Sequence, residues 1–262
     1  MHLQDKTIWI TGASSGIGEA LTKQLSKHRV NLIISSRRTE ELTRVKSECA
    51  NQERIAIVQL DLSQSHTFEE TTKMAIAAFG QVDVLINNGG RSQRSLVKDT
   101  LLQVDRDLME VNYFGSVGLT KALLPHMLAK GSGHFVVVTS LTGIFGTPYR
   151  SGYAASKHAL HGFFDSMRAE LEDSGIKVTI AAPGFVKTNV SVNAFTGDGT
   201  QLGSMDDAQA NGLTADACAA AIIKAMMKQK REVYIGRESY GAYAKRFLPG
   251  LFARIIKKAK VR

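Results

Sequence analysis

A short apolar run, Thr7-Ile-Trp-Ile-Thr11, passes directly into Gly12-Ala-Ser14-Ser15-Gly16-Ile17-Gly18, and a helix-like stretch from Glu19 to His28 follows. Strand, glycine-rich turn and helix in that order restrict the fold more than any other feature of the chain. A strand that is apolar at successive positions is covered on both faces, as in a parallel sheet. The turn is open to two readings. It is a tight connection, or it is a cradle in which backbone amides at a helix start face a diphosphate while missing side chains let it approach. The spacing G-x-x-x-G-x-G is a variant of the dinucleotide fingerprint, and its place between strand and helix favours cofactor binding.

The same alternation continues along the chain. Strand-like runs cover Val30–Ile34, Ile55–Leu60, Val82–Ile86, His134–Thr139, Val178–Ala182 and Glu232–Gly236, with helical patterns between them, including Leu101–Leu128 and a helix capped by Thr214. This predicts an α/β, doubly wound Rossmann fold with a parallel sheet of about seven strands and helices on both faces. A single domain is expected over residues 1–244. Within it, residues 189–212, rich in glycine and without periodicity, are expected to form a mobile lid. Two cysteines in 262 residues, far apart, point to a reducing compartment and to neither a disulfide framework nor a metal site. No signal-peptide pattern or membrane-spanning run is visible, so a cytoplasmic protein is expected.

Three clusters carry chemistry. The second strand ends in Ser35-Ser36-Arg37-Arg38, where an acidic residue would bond the free ribose hydroxyl of NAD and arginine would pair with the 2′-phosphate of NADP. The alternative is two solvated arginines at a helix start; after the glycine turn, NADP (NADPH) is favoured. Tyr153 and Lys157 lie one helical turn apart on the same face. A phenol ordinarily loses its proton near pH ~10, and an ammonium beside it pulls that value down, so the pair can exchange a proton with a carbonyl or alcohol oxygen. Asn112, in the middle of a helical segment, is either exposed or part of a polar network.

Taken together, Thr11-Gly-Ala-Ser-Ser-Gly-Ile-Gly18, Asp61, Asn87-Asn88-Gly89-Gly90, Asn112, Ser140, Tyr153-x-x-x-Lys157 and Pro183-Gly184 with Thr188 resemble the short-chain dehydrogenase/reductase family over nearly the whole chain. The resemblance implies a catalytic set of Asn112, Ser140, Tyr153 and Lys157. Tyr153 would be the general acid or base, Lys157 would lower its pKa and bond the nicotinamide ribose, Ser140 would hold the substrate oxygen, and Asn112 would anchor a relay water. It also implies cofactor contacts. Gly12, Ser14, Ser15, Gly16, Ile17 and Gly18 would hold the diphosphate, Arg37 the 2′-phosphate with Ser14 and Arg38 as helpers, and Asp61 and Leu62 the adenine. Asn88, Gly89, Gly90, Pro183 and Gly184 would line the channel, and Val186 and Thr188 would hold the carboxamide. Gly89 departs from the family's usual alanine. Gly89–Ser95 and Ser191–Ala194 are similar to a branch related to hydroxysteroid and retinoid enzymes.

The expected reaction is therefore NADP-dependent interconversion of a carbonyl and an alcohol on a medium-sized apolar substrate, since Ile144, Phe145, Pro148, Tyr149 and Phe195 sit in the loops expected to shape the pocket. The rivals are a reductase of oxoacyl groups on an acyl carrier protein and a non-catalytic NADP-binding regulator. Resemblance implies a homodimer or homotetramer built on the two long middle helices. The formal charge of +9 gathers in the tail, at Lys245, Arg246, Arg254, Lys257, Lys258, Lys260 and Arg262. With Phe247, Leu248, Leu251, Phe252, Ile255 and Ile256 at helical spacing, residues 245–262 read as a basic amphipathic helix. It either docks on the domain or a second subunit, or makes peripheral contact with an anionic membrane. Nucleic acid is not an expected partner, because stacking platforms and recognition motifs are missing.

Overall fold

A computed structural model describes residues 1–257 and 259. Lys258, Lys260, Val261 and Arg262, the end of the basic tail, lie outside the described residues. The main sheet has seven strands: β1 (Thr7–Thr11), β2 (Asn31–Ser35), β3 (Ile55–Ile57), β4 (Val84–Asn87), β5 (Gly133–Val138), β6 (Ile176–Pro183) and β9 (Glu232–Ile235). Every pairing is parallel, and the order is β3-β2-β1-β4-β5-β6-β9. The chain therefore runs outward from β1 to β3, then returns to β4 and runs outward the other way. A crevice opens at that reversal, at the carboxyl ends of β1 and β4.

Alternate side chains along each strand serve opposite faces, which is why the strands read as unbroken apolar runs. Ile8, Ile10, Leu32, Ile34, Val84, Ile86, Val136 and Val138 face one core with Leu21 and Leu25 of α1 (Gly16–Leu25) and Ile222 and Met226 of α8 (Ala215–Met227). Trp9, Ile33, Leu85, Phe135 and Val137 face the other. There they meet Phe68 of α3 (Phe68–Phe79), Leu119 and Leu123 of α5 (Gly115–Ala129), and Leu160 and Phe164 of α6 (Ser151–Glu170). Between α1 and α3 lies α2 (Thr39–Ser47).

Several boundaries shift from the sequence expectation. Helix α1 starts at Gly16, because the glycine turn itself supplies the first helical residues. Strand β3 stops at Ile57, although Val58 N–H and Leu60 N–H still reach the carbonyls of Ile34 and Ser36. Leu101–Leu128 is helical but divided: α4 (Leu102–Met109) and α5 are joined by a π-helical turn, Glu110–Phe114, that carries Asn112. Thr214 caps α8 as expected, its hydroxyl accepting from Ala217 N–H at 3.1 Å.

The segment 189–212 has more structure than a featureless loop. Phe195 bridges Gln93 and Gln201, a short helix α7 (Asp207–Ala210) follows, and a two-stranded parallel pair forms from β7 (Val186–Lys187) and β8 (Leu213–Thr214). Near the C-terminus α9 (Tyr240–Phe247) and α10 (Pro249–Ile256) meet at Leu248, with Pro249 at the first position of α10.

Candidate active site

The carboxyl ends of β1 and β4 are tied before any ligand is considered. Thr11 Oγ1, itself buried, accepts from both Asn88 N–H and Gly89 N–H at 3.0 Å. Asn88 Nδ2 in turn donates to the carbonyls of Thr11 and Gly12, at 3.0 and 3.3 Å. Glycine is required at this junction. Gly12 has φ +65°, and a Cβ there would lie 2.7 Å from Gly89 Cα; a Cβ on Gly18 would lie 2.2 Å from Gly12 O. Tied strand ends and bare backbone leave a cradle at the start of α1, where unpaired helix amides and the helix dipole favour an anion.

That cradle is one end of a continuous cavity of about 580 Å³. Its wall includes Gly12, Ser14, Ser15, Gly16, Ile17, Arg37, Arg38, Asp61, Leu62, Asn88, Gly89, Gly90, Ser140, Tyr153, Lys157, Pro183, Gly184, Val186 and Thr188. The structure thus gathers nearly all the expected site residues, drawn from six strand ends and from α6, around one space. These residues fit a dinucleotide. Arg37 and Arg38 are exposed at the end of β2, and Arg38 Nη2 donates to Ser14 Oγ at 3.3 Å, joining the glycine turn to the arginine pair. Leu62 fills the space an alanine side chain would take at position 89, with Cδ1 2.5 Å from an ideal Cβ, so the glycine there matches a bulkier neighbour.

Two of the expected site residues lie outside the cavity wall. Gly18 does not reach the cavity wall; it is the close-packing glycine that lets α1 lie against the turn. Asn112 also lies behind the wall. Its Oδ1 accepts from Arg91 N–H at 2.8 Å, and its Nδ2 donates to Arg91 O and Ser156 Oγ, each at 2.9 Å. The π-helical turn aims this fully buried amide inward, a distortion found often at functional sites. A Cβ on Gly90 would lie 2.8 Å from Asn112 Oδ1 and 3.5 Å from Lys157 Nζ, so both side chains pack around that glycine.

At the far side, Ser140 Oγ accepts from Thr142 N–H at 3.1 Å and donates to Pro183 O at 3.3 Å, and it hydrogen-bonds the Tyr153 hydroxyl. Lys157 Nζ donates to Val138 O at 3.0 Å and lies 5.9 Å from the Tyr153 ring centroid. Burial pushes the Lys157 ammonium down to about 8. The expectation that Lys157 draws the Tyr153 pKa below its ordinary value is corrected by the surroundings. Burial pushes the phenol up; the Ser140 hydrogen bond and the charges of Arg150 and Arg94 act against that rise.

Four residues at this wall were not singled out from the sequence as site residues: Arg94 and Arg150, which line it, and Gln93 and Asp206, which hold the lining residues from behind. Gln93 is fully buried, and its Oε1 accepts from Gly152 N–H at 2.8 Å and Tyr153 N–H at 3.3 Å, capping the helix that carries Tyr153 and Lys157. Arg94 and Arg150, both buried, share Asp206 of the 189–212 segment, at 2.5 and 3.5 Å. Three residues so distant in sequence leave no local pattern. The apolar residues expected to shape the pocket are elsewhere. Phe145 packs on Leu141, Ala182 and Ala242; Phe195 packs on Val104 and Leu108 beneath the Arg91 guanidinium. Phe185 and Val190 line the cavity in their stead.

A family model described as short chain dehydrogenase matches residues 6–198. Human dehydrogenase/reductase SDR family member 7 is 43% identical over 245 residues, covering 91% of this chain and 72% of that protein. The crystal structure of a short-chain dehydrogenase from Streptomyces avermitilis superposes with a TM-score of 0.82 at 28% identity, over 97% of this chain and 96% of that one. An alcohol dehydrogenase from the archaeon Thermococcus sibiricus, complexed with 5-hydroxy-NADP, superposes with a TM-score of 0.74 at 26% identity, over 89% and 97% of the two chains.

Proposed function

The chain belongs to the short-chain dehydrogenase/reductase family of oxidoreductases, and from that premise we propose that it interconverts a carbonyl and an alcohol with NADP(H), Tyr153 exchanging the proton. One observation carries the reading: Ser140, Tyr153 and Lys157 share a wall of the same cavity whose other end is the glycine cradle. Bound there, the cofactor supplies or accepts hydride at carbon. The protein's own residues handle the oxygen. Ser140 holds it, and Tyr153 donates to it as charge develops in reduction and takes the proton back in oxidation. Lys157 would bond the nicotinamide ribose, and Asn112, held by Arg91 and Ser156, would anchor the water of a proton relay. Arg37 and Arg38 would hold the 2′-phosphate; Gly12, Ser14, Ser15, Gly16 and Ile17 the diphosphate; Asp61 and Leu62 the adenine. Asn88, Gly89, Gly90, Pro183, Gly184, Val186 and Thr188 would take the nicotinamide half.

A medium-sized substrate would lay its apolar part against Phe185 and Val190. A complete set of Ser140, Tyr153 and Lys157 speaks for turnover and against a regulator that only binds cofactor. The test is Tyr153→Phe, which keeps the ring and removes the donor. Turnover should fall by about 10²–10⁴, the usual weight of a positioned general acid, while NADPH still binds. Activity near that of the unaltered protein would overturn the mechanism.

The reading extends to two surfaces. Leu101 at the N-cap of α4, Leu102 on it and Phe114 on the π-helical turn are exposed along the middle helices on which a homodimer or homotetramer would be built. On α9 and α10, Phe252 and Ile256 dock on the Phe145 cluster, while Tyr240, Tyr243, Phe247, Leu248, Leu251 and Ile255 are exposed beside Lys245, Arg246, Arg254 and Lys257. Apolar and cationic side chains on one surface suit peripheral contact with anionic lipid. No described helix is long and apolar enough to cross a membrane.

A further inference from the structure

The glycine turn that ends β1 stands between two arginines. In the sheet β1 lies between β2 and β4, so the carboxyl ends of those two strands flank the turn. Neighbouring strands are about 4.8 Å apart, which leaves the ends of β2 and β4 about 10 Å from each other across β1. Arg37 follows the end of β2, Arg91 follows Asn88-Gly89-Gly90 at the end of β4, and both line the cavity.

The place of Arg91 is fixed from two sides. Its backbone is clamped by Asn112, which accepts from Arg91 N–H at 2.8 Å and donates to Arg91 O at 2.9 Å. Its guanidinium lies 3.8 Å from the Phe195 ring centroid, and Phe195 is itself buried and pinned by backbone bonds to Ser92 and Arg94, at 2.9 and 2.8 Å. A planar cation stacked on a ring is oriented, yet its N–H edge stays available. Among the described residues that edge makes no hydrogen bond or ion pair. The carboxylate whose charge acts on it is Asp107 of α4, which stands outside ion-pair distance and accepts from Gln103 Nε2 at 2.8 Å. Burial pushes the Arg91 pKa down and the charge of Arg37 adds to that, against Asp107. Two guanidiniums repelling across the cradle cost the fold free energy, whereas an anion lodged between them turns the repulsion into two attractions.

We propose that Arg91 closes the anion cradle from the β4 side, donating to a phosphate of the dinucleotide that the glycine turn and Arg37 hold from the other. The inference rests on the reading of this cavity as the cofactor site and adds a residue to its recognition. The shared chemistry is a phosphate oxygen, which either the 2′-phosphate or the bridging diphosphate supplies.

Calorimetry on the full chain with NADP⁺, NAD⁺, 2′,5′-ADP and ADP reads this contact without turnover. Arg91→Met, which keeps an apolar stem on Phe195, should weaken NADP⁺ by about ten- to a hundredfold, the scale of a charge-assisted bond to phosphate. Arg91→Lys should regain part of the loss, since it restores the charge without the planar fork. Raised salt should weaken binding to the unaltered protein more than to Arg91→Met, because an electrostatic contact is screened. A loss confined to NADP⁺ and 2′,5′-ADP assigns Arg91 to the 2′-phosphate, and equal losses for both dinucleotides assign it to the diphosphate. Unchanged affinities in Arg91→Met overturn the proposal, as does a loss that lysine does not relieve and salt does not alter, which is the mark of lost packing. Were Arg91→Met to melt early, Arg91→Gln decides by the same readings. Dinucleotide binding that depends on Arg91, with no carbonyl turned over, would sink the reductase reading and leave this contact standing. Carbonyl turnover by Arg91→Met at an unaltered KM for NADPH would sink this contact alone.

Discussion

At the scale of single residues, cofactor choice turns on Arg37 and Arg38. Both are exposed at the end of β2, and Arg38 is braced on Ser14. Replacing Arg37 by Asp should weaken NADPH by about 10- to 100-fold, the loss of a charge-assisted bond to phosphate, with a much smaller effect on NADH. Cofactor titrations that show an unchanged preference would remove the NADP assignment. His134 makes a second residue-level prediction. It is 2% exposed, its Nε2 hydrogen-bonds Thr179 Oγ1 at 2.8 Å, and burial pushes its pKa down to about 4 from 6.5. The unfolded chain accepts a proton that the folded chain refuses, so the contribution is whole above pH 6.5 and is lost as pH falls from 6.5 towards 4. The loss is of order 3 kcal/mol. Thermal melts at pH 7 and pH 4.5 should show a smaller acid shift in His134→Gln than in the unaltered protein, and an equal shift would assign the effect to another group.

Among elements, α6 is the one whose placement sets the chemistry. It carries Tyr153 and Lys157 on its first two turns, and Gly152 lets it press on α4, since a Cβ there would lie 2.2 Å from Asp105 Oδ1. Its first amides are capped from outside the helix by Gln93, whose own Nε2 is held by Ser95 and Thr100. Gln93→Ala should cost about 1–2 kcal/mol, as lost helix caps do, and lower Tm by a few degrees. Because the cap sits on the Tyr153 amide, kcat should fall more than KM rises. A variant that melts early but keeps kcat would show that Gln93 acts on stability alone. The spacing of Tyr153 and Lys157 was legible in the sequence because it is local. The cap was not, since 59 residues separate donor from acceptor.

For the whole molecule, the open question is what meets the exposed apolar and basic surface of α9 and α10. Phe252 and Ile256 of the helical pattern dock on the domain, as an apolar stripe commonly does, while Phe247, Leu248, Leu251 and Ile255 face outward. Removing residues 245–262 should abolish sedimentation with vesicles rich in anionic lipid at low salt, and raised salt should weaken the intact protein's binding, because screened charges attract less. Equal recovery in the supernatant with and without the segment would exclude lipid as its partner. The parallel order of the sheet was legible for a reason at this scale: strands covered on both faces and separated by helices have few alternative topologies.

What could be read along the chain was whatever depends on near neighbours: the βα alternation, the glycine turn, the arginines closing β2, and the Tyr153–Lys157 pair. Periodicity and backbone freedom are local properties, and the sequence states them directly. What required the folded chain was the character of the substrate side. Phe145 and Phe195 turn into separate apolar clusters, while Arg94 and Arg150 converge on Asp206 from distant parts of the chain. Burial decides whether a charge is solvated or must be met by another group of the protein, and burial is a property of packing between distant segments.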